Sequence, residues 1–126
     1  MAGEKILIVE DNRMNMELAN DLLEIAGFTA LQADTAEKGV SLAREQLPNL
    51  ILMDISLPGM DGLEAAKLIR GDERTRDIPI VAMTAHAMKG DEEKATLAGC
   101  NGYITKPLDI KLFSNIVKGF LNKKDR

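Results

Sequence analysis

Short runs of apolar and β-branched residues alternate along this chain with longer segments of helical spacing. The short runs predict strands at 5–10, 29–33, 50–54, 78–84 and 102–105. The longer segments predict helices at about 13–26, 35–47, 61–70, 88–99 and 109–121. Strands that alternate with helices favour a parallel sheet with helices on both faces. We therefore predict an α/β fold with a five-stranded parallel sheet, doubly wound as (βα)5.

Two of the predicted strands are continuously apolar, and two others are not. Residues 6–9 read Ile-Leu-Ile-Val and residues 50–53 read Leu-Ile-Leu-Met, which is typical of strands that are covered on both faces. The segments 29–33 and 102–105 are less apolar. We expect these two segments at the edges of the sheet.

Residues with capping chemistry stand at three of the predicted helix ends. Gly27 is suited to end the first helix, because glycine readily takes the left-handed conformation found there. Thr35 and Asp109 are suited to cap the second and the last helix, because their side-chain oxygens accept backbone N–H groups. These residues support the predicted boundaries.

Polar side chains stand where the predicted strands end. They are Glu10, Asp11, Asp54, Thr84 and Lys106. Right-handed crossovers bring the carboxyl ends of parallel strands to one edge of the sheet, where doubly wound folds bind their ligands. We therefore expect these side chains to meet in one site.

Three carboxylates in one small site repel one another unless a cation or a proton lies between them. Mg²⁺ or Mn²⁺ suits such a site, because both ions take carboxylate, water and phosphate oxygens. Lys106 adds a compact positive charge for a phosphoryl oxygen, and Thr84 adds a hydroxyl. The chemistry indicated is phosphoryl transfer onto a carboxylate, with Asp54 as the nucleophile because it stands alone at the end of its strand.

Five short motifs follow one another along the chain. They are KILIVEDN at 5–12, LILMD at 50–54, LPGMDG at 57–62, PIVAMTAHA at 79–87 and GYITKP at 102–107. In this order and spacing they resemble the receiver domain of bacterial response regulators. The resemblance covers essentially the whole chain and implies a flavodoxin-like, CheY-like fold. We expect a single domain over 1–126, with a core at about 4–121 and a short charged tail at 122–126.

The resemblance implies a role for each acid of the site. Asp54 is the implied phosphoacceptor and also a metal ligand. Asp11 is implied to bind Mg²⁺ directly, and Glu10 is implied to act on the ion largely through water. The backbone carbonyl of Ser56, two residues after the acceptor, is implied to supply another metal ligand.

The same resemblance implies a conformational switch. Thr84 and Lys106 are implied to contact the phosphoryl group, which draws Thr84 toward it. The ring of Tyr103 then turns inward, and the surface around the fourth helix, the fifth strand and the fifth helix changes shape.

The resemblance also implies that Ser56 and His86 affect how long the phosphoryl group survives, because both flank the path of attacking water. His86 is the only histidine of the chain, and it either orients water or is simply exposed. Cys100 is the only cysteine. We interpret it as a small buried residue and not as a redox centre.

The predicted first helix has apolar residues on two sides. One stripe consists of Met16, Ala19, Leu23 and Ala26, and the other consists of Met14, Leu18, Leu22 and Ile25. The second stripe either widens the buried face or docks a partner. In receivers this helix and the loop after the fifth strand face the histidine-bearing helices of a sensor histidine kinase or histidine phosphotransfer protein. The predicted partner face is Met14, Asn15, Leu18, Pro107 and Leu108.

The composition excludes several other classes of protein. The 126 residues suffice for one domain, and 45% hydrophobic with 29% charged residues is typical of a globular chain. A net charge of −4 gives no overall attraction to nucleic acid or anionic lipid. No apolar run approaches the roughly 20 residues that span a bilayer, and the first residues do not have the pattern of a signal peptide. We expect a cytoplasmic protein without nucleic-acid binding or membrane insertion.

We predict a single-domain response regulator of a two-component or phosphorelay system. It is expected to accept a phosphoryl group from phosphohistidine onto Asp54 in a Mg²⁺-dependent reaction. It is expected to act as a phosphoacceptor switch and not as an enzyme on a separate substrate. Few residues follow the last predicted helix, so the expected output is phosphorylation-dependent binding of a downstream protein. The expected state is a monomer or a weak phosphorylation-dependent dimer.

Other interpretations remain beside this prediction. The chain is alternatively a receiver fragment of a hybrid histidine kinase, or a scaffold that works without phosphorylation. An aspartyl-phosphate phosphatase is less favoured, because its general acid is expected two residues after the nucleophile and Ser56 stands there. A flavin-binding module is also less favoured, because Glu10 and Asp11 would repel the flavin phosphate.

Overall fold

The computed structural model of the protein describes residues 3–55, 62–84, 91–105 and 110–124. The strands are β1 Lys5–Val9, β2 Thr29–Ala33, β3 Leu50–Asp54, β4 Ile80–Thr84 and β5 Gly102–Thr105. The helices are α1 Arg13–Ile25, α2 Ala36–Gln46, α3 Gly62–Arg70, α4 Asp91–Leu97 and α5 Ile110–Lys124. The predicted alternation of strands and helices is confirmed.

All five strands pair in parallel within one sheet, in the order β2-β1-β3-β4-β5. This is the flavodoxin-like strand order, so the predicted fold class is confirmed. The two continuously apolar segments lie in β1 and β3, and their side chains are fully buried. The two less apolar segments form the edge strands β2 and β5, which are partly exposed.

The sheet separates two hydrophobic cores. On one face Leu7, Ile51 and Met53 pack with apolar residues of α2, α3 and α4. On the other face Leu50 and Leu52 pack with apolar residues of α1 and α5. Because helices cover the central strands on both sides, the carboxyl ends of these strands are held in fixed register.

The first and fourth strands are shorter than predicted. β1 ends one residue earlier, at Val9. β4 begins at Ile80 and not at Ile78. The reason is that the Ile78 N–H donates to the Thr75 carbonyl in a turn, at 3.1 Å, and that Pro79 has no N–H for strand pairing.

The last two helices also differ from the prediction. α4 ends at Leu97, because the chain turns at Gly99, whose φ of 102° lies in the left-handed region. Residues 88–90 of the predicted helix lie outside the described residues. α5 continues to Lys124, so the segment predicted as a tail is helical over most of its length. None of the helices within the described part of the chain is long and apolar enough to cross a membrane.

Two of the three predicted capping residues stand at helix ends within the described part of the chain. Thr35 caps α2, and its Oγ1 accepts a backbone N–H at 3.1 Å. Gly27 follows α1 with a φ of 94°. Asp109 lies outside the described residues. Asn12, which was not predicted as a cap, begins α1: its Oδ1 accepts the Asn15 N–H at 3.0 Å.

The Arg70 side chain connects the end of α3 to the turns that lead into β4 and β5. Its guanidinium donates to the carbonyl oxygens of Gly99 at 2.8 Å, Arg76 at 2.8 Å and Ile78 at 2.6 Å. It also donates to Asn101 Oδ1, which accepts a backbone N–H of β4 as well. A planar group with several fixed donors is needed for this arrangement, and a single ammonium group cannot reproduce it.

Arg70→Lys is expected to lower the free energy of unfolding by about 2 kcal/mol, because several carbonyl oxygens, two of them in partly buried bonds, lose their donor. Arg76→Lys is the control, since the Arg76 side chain is exposed and its replacement should change stability by less than about 0.5 kcal/mol. Urea denaturation followed by circular dichroism measures both values. Equal stability losses in the two variants would contradict the role of Arg70.

Candidate functional site

Three acidic side chains lie at the carboxyl edge of the sheet. Glu10 and Asp11 directly follow β1, and Asp54 is the last residue of β3. The two strands are parallel neighbours, with Val9 opposite Met53. The acids that follow these paired residues therefore come together, and we call Glu10, Asp11 and Asp54 the acidic cluster.

The geometry of the acidic cluster suits a divalent cation. One carboxylate oxygen from each of the three residues lies within 4.8 Å of the others. Glu10 and Asp54 are each 2% exposed, whereas Asp11 is open to solvent. Carboxylate oxygens are preferred ligands of hard cations, and a cation between them offsets the repulsion among the negative charges. The cluster can therefore hold a metal ion that reaches it from the side of Asp11.

The turn between β1 and α1 holds Glu10 in place. The Asn12 N–H donates to Glu10 Oε2 at 3.1 Å, and the Glu10 N–H donates to the Ala33 carbonyl at 3.0 Å. Asn12 also caps α1 through its side chain. The capping role of Asn12 was not predicted, although an Asn directly before a helical segment is a capping signal that would have identified it.

A cleft of about 560 Å³ opens beside the acidic cluster. The residues that line it are Glu10, Asp11, Arg13, Met16, Glu17, Gln32, Asp34 and Lys38. Two ion pairs lie on its rim: Asp34 Oδ1 is 2.9 Å from Lys38 Nζ, and Glu17 Oε1 is 3.3 Å from Arg13 Nε. The Lys38 ammonium lowers the pKa of Asp34 through its hydrogen bond and its charge. Neighbouring cations therefore balance these rim acids.

Thr84 and Tyr103 lie on the sheet face that α2, α3 and α4 cover. Tyr103 is opposite Ala82 in the pairing of β4 with β5, and its partly buried ring packs against the core on that face. Thr84 follows Ala82 by two residues, so its side chain points to the same face, and it is 2% exposed. The hydroxyl and the ring therefore share one face, as a switch between them requires.

The amino-acid sequence matches the family model described as the response regulator receiver domain over residues 6–118. The chain belongs to this family. Polar-differentiation response regulator DivK of Brucella ovis is 45% identical over 118 residues, which cover 94% of this chain and 96% of that protein. The predicted receiver family is confirmed.

Solved receiver structures have the same fold. The receiver domain of a sensor histidine kinase from Pseudomonas aeruginosa PAO1 has a TM-score of 0.89 and 36% identity, covering 96% of this chain and 99% of that one. That structure has a magnesium ion coordinated in its active site cleft. A response regulator from Chloroflexus aurantiacus has a TM-score of 0.91 and 28% identity, covering 95% of this chain and 98% of that one. Membership of this family places the chain in two-component signalling, and the acidic cluster fits magnesium binding and phosphorylation of an aspartate.

Several residues predicted for this receiver lie outside the described part of the chain. They are Ser56, His86, Lys106, Pro107 and Leu108. Their roles stay predictions.

The α1 helix carries three residues of the predicted partner face, Met14, Asn15 and Leu18. The stripe of Met16, Ala19 and Leu23 is buried against the sheet. On the other side of the helix Met14 is 80% exposed, and Asn15 and Leu18 are partly exposed. The second apolar stripe is divided, because Leu22 packs against the core whereas Ile25 is exposed.

Cys100 is buried within the core that α2, α3 and α4 form. Burial raises the pKa of its thiol to about 11. Such a thiol is protonated at neutral pH and is a weak nucleophile. These properties fit the predicted small buried residue.

Asp11→Asn is expected to weaken Mg²⁺ binding by about 10- to 100-fold or more. Loss of a residue that only hydrogen-bonds to a metal ligand already has an effect of this size. Asp34→Asn is the matched control, because Asp34 lies on the rim of the same cleft and pairs with Lys38. Isothermal titration calorimetry with MgCl₂ measures both affinities. If the two variants bind Mg²⁺ equally well, the acidic cluster is not the metal site.

Proposed function

We propose that this receiver accepts a phosphoryl group from phosphohistidine onto Asp54 in a Mg²⁺-dependent reaction. The donor is a sensor histidine kinase or a histidine phosphotransfer protein, and the phosphorylated receiver signals by binding a downstream protein. The observation that carries the proposal is the acidic cluster, which joins a buried carboxylate to two further acids suited to a metal ion. Membership of the receiver family supports the same chemistry.

The transfer step exchanges one bond to phosphorus for another. A carboxylate oxygen of Asp54 bonds to the phosphorus atom, and the bond from phosphorus to the donor imidazole nitrogen breaks. The electron pair of that bond stays on the imidazole, which takes up a proton. Mg²⁺ held by the acidic cluster would supply positive charge that offsets the negative charge of the phosphoryl group. The low exposure of Asp54, 2%, limits the access of water to the acceptor.

Asp54 is favoured as the acceptor over the other two acids. The Asn12 N–H holds Glu10 in place, and Asp11 lies at the open side of the cluster. Both arrangements suit residues that hold a metal ion. We assign Asp11 as a direct Mg²⁺ ligand and Glu10 as a ligand largely through water. Asp54 itself and the Ser56 carbonyl complete the proposed protein ligands.

Two side chains on neighbouring strands complete the proposed chemistry. Thr84 ends β4, which pairs with β3 so that Met83 is opposite Asp54. Lys106 directly follows β5 in the sequence. The Thr84 hydroxyl and the Lys106 ammonium are assigned to bind phosphoryl oxygens. The protein is then a phosphoacceptor switch, whose only reactions are its own phosphorylation and dephosphorylation.

The proposed docking face for the donor begins next to the acidic cluster. It comprises Met14, Asn15 and Leu18 on α1, together with Pro107 and Leu108. The exposure of Met14, 80%, leaves an apolar side chain available to a partner helix. We further propose that the receiver acts in the cytoplasm, as a monomer or as a weak dimer that depends on phosphorylation.

Incubation with Mg²⁺ and a small acyl phosphate is expected to add one phosphoryl group to the wild-type protein. Asp54→Asn is expected to abolish the adduct, because the amide keeps the shape of the side chain but is not a nucleophile. Intact-mass spectrometry measures the adduct, and EDTA in the reaction is expected to prevent it.

Asp34→Asn serves as the control for this experiment, because it removes an acid from the rim of the cleft and leaves the acidic cluster intact. It is expected to give the wild-type adduct. A full adduct on Asp54→Asn would show that another residue is the acceptor. A wild-type protein that neither the acyl phosphate nor a phosphorylated histidine phosphotransfer protein modifies would favour the scaffold interpretation.

Phosphorylation is expected to change the fluorescence of Tyr103, because the proposed switch moves its ring into a less polar environment. The signal is assignable, since the chain has one Tyr and no Trp. Thr84→Ala is expected to lose most of the fluorescence change while its Asp54 is still phosphorylated. The reason is that the variant lacks the hydroxyl whose movement toward the phosphoryl group precedes the turn of the ring. An undiminished fluorescence change in phosphorylated Thr84→Ala would show that the Tyr103 ring moves independently of the Thr84 hydroxyl.

A further inference from the structure

The first residue of α3 lies very close to the main chain of the proposed acceptor. A Cβ atom built on Gly62 would be 2.7 Å from Ile55 Cα and 2.9 Å from the Asp54 carbonyl carbon. It would be closer still to the Asp54 carbonyl oxygen. These separations are well below the roughly 3.5–4.0 Å of favourable carbon contacts. Only glycine allows α3 to approach β3 this closely.

The atoms that a Gly62 side chain would meet cannot easily move away. They belong to the main chain, so no rotation of a side chain relieves the contact. The Ile55 N–H donates to the Met83 carbonyl at 3.1 Å, which ties the residue after Asp54 to β4. On the other side of the contact, α3 is held in the core by fully buried side chains. They are Ala65, Ala66 and Ile69.

Gly62 differs in this respect from the other glycines within the described residues. A Cβ on Gly39 or Gly102 would meet side-chain atoms, those of Val9 and Phe120. A Cβ on Gly71, at the other end of α3, would lie 3.4 Å from its nearest neighbour, which is ordinary contact. Among the described glycines, Gly62 is the one whose Cβ would come within 3.0 Å of main-chain atoms.

We propose that Gly62 is a positioning residue for phosphoryl transfer, because its missing side chain sets where the Asp54 carboxylate stands relative to Glu10 and Asp11. The inference rests on the proposed function of Asp54 as acceptor. A methyl group at Gly62 displaces the main chain of Asp54, and the carboxylate moves with it. Glu10 does not follow, because the Asn12 N–H and the β1–β2 pairing hold it. The spacing of the acidic cluster therefore changes.

The test compares the same substitution at the two ends of α3. Gly62→Ala is expected to slow phosphorylation of Asp54 on the order of 100-fold at saturating Mg²⁺ and acyl phosphate, since a displacement of about 1 Å has effects of this size. Gly71→Ala is expected to react at the wild-type rate, because its methyl group fits. Intact-mass spectrometry over time gives the rates, and circular dichroism verifies that each variant is folded.

A third variant separates positioning from loss of stability. Val117→Ala removes buried atoms from α5 on the opposite face of the sheet, so it lowers the melting temperature without touching the Asp54 main chain. It is expected to keep the wild-type rate. If Val117→Ala slows the reaction as much as Gly62→Ala for the same loss of melting temperature, Gly62 has a purely structural role and the inference is overturned.

Magnesium titration distinguishes failure of this inference from failure of the proposed function. Gly62→Ala is expected to bind Mg²⁺ about tenfold more weakly than Gly71→Ala, whether or not any donor phosphorylates the protein. Wild-type values of rate and Mg²⁺ affinity in folded Gly62→Ala would overturn the inference and leave Asp54 as acceptor. If Gly62→Ala is unfolded in buffer, the measurements are made in sucrose, which favours compact states. Failure to fold there as well would make Gly62 a folding residue and overturn the inference.

Discussion

The proposed site depends on three acidic side chains that lie close together at the edge of the sheet. Two unit charges about 4 Å apart repel by about 4 kcal/mol at an effective dielectric constant of 20. The acidic cluster brings three carboxylate oxygens within 4.8 Å of one another, and two of these side chains are almost fully buried. Such an arrangement is stabilised by a cation or a proton. A bound metal ion offsets the repulsion among the carboxylates. Metal binding therefore raises the free energy of unfolding.

Parallel strands make this concentration of charge possible. Polar residues stand at or directly after the carboxyl ends of three neighbouring strands, β1, β3 and β4, and the residues before them are fully buried. The hydrophobic cores on both faces hold the strands in register. The strand that ends in Asp54 therefore contacts both layers of helices. Thr84 and Tyr103 lie on the face of α2, α3 and α4, whereas Met14 belongs to the opposite layer. The proposed switch pair and the proposed docking residue Met14 therefore lie on opposite faces of the sheet.

The sequence predicted the parts of the fold that depend on hydrophobic pattern. The central strands and the edge strands follow from which runs are continuously apolar, and the acidic cluster follows from which strands end in acids. The start of β4 was not predicted, because Ile78 is apolar but its N–H is used in a turn. The bond from the Asn12 N–H to Glu10 was not predicted either, because it depends on the conformation of a turn. The exposure of Ile25 depends on how α1 packs, which its apolar character does not reveal.

The placement of the acids depends on small residues that carry no chemistry of their own. The face of α3 that meets the sheet begins with Gly62 and continues with Ala65 and Ala66, all of them buried. Small side chains let a helix approach a strand closely, and larger ones would hold it farther away. The acids identify what the site can bind, and they are visible in the sequence as charged residues at strand ends. The distance between α3 and β3 determines where Asp54 stands among them. That distance is set by the small size of the α3 residues that face β3, beginning with Gly62.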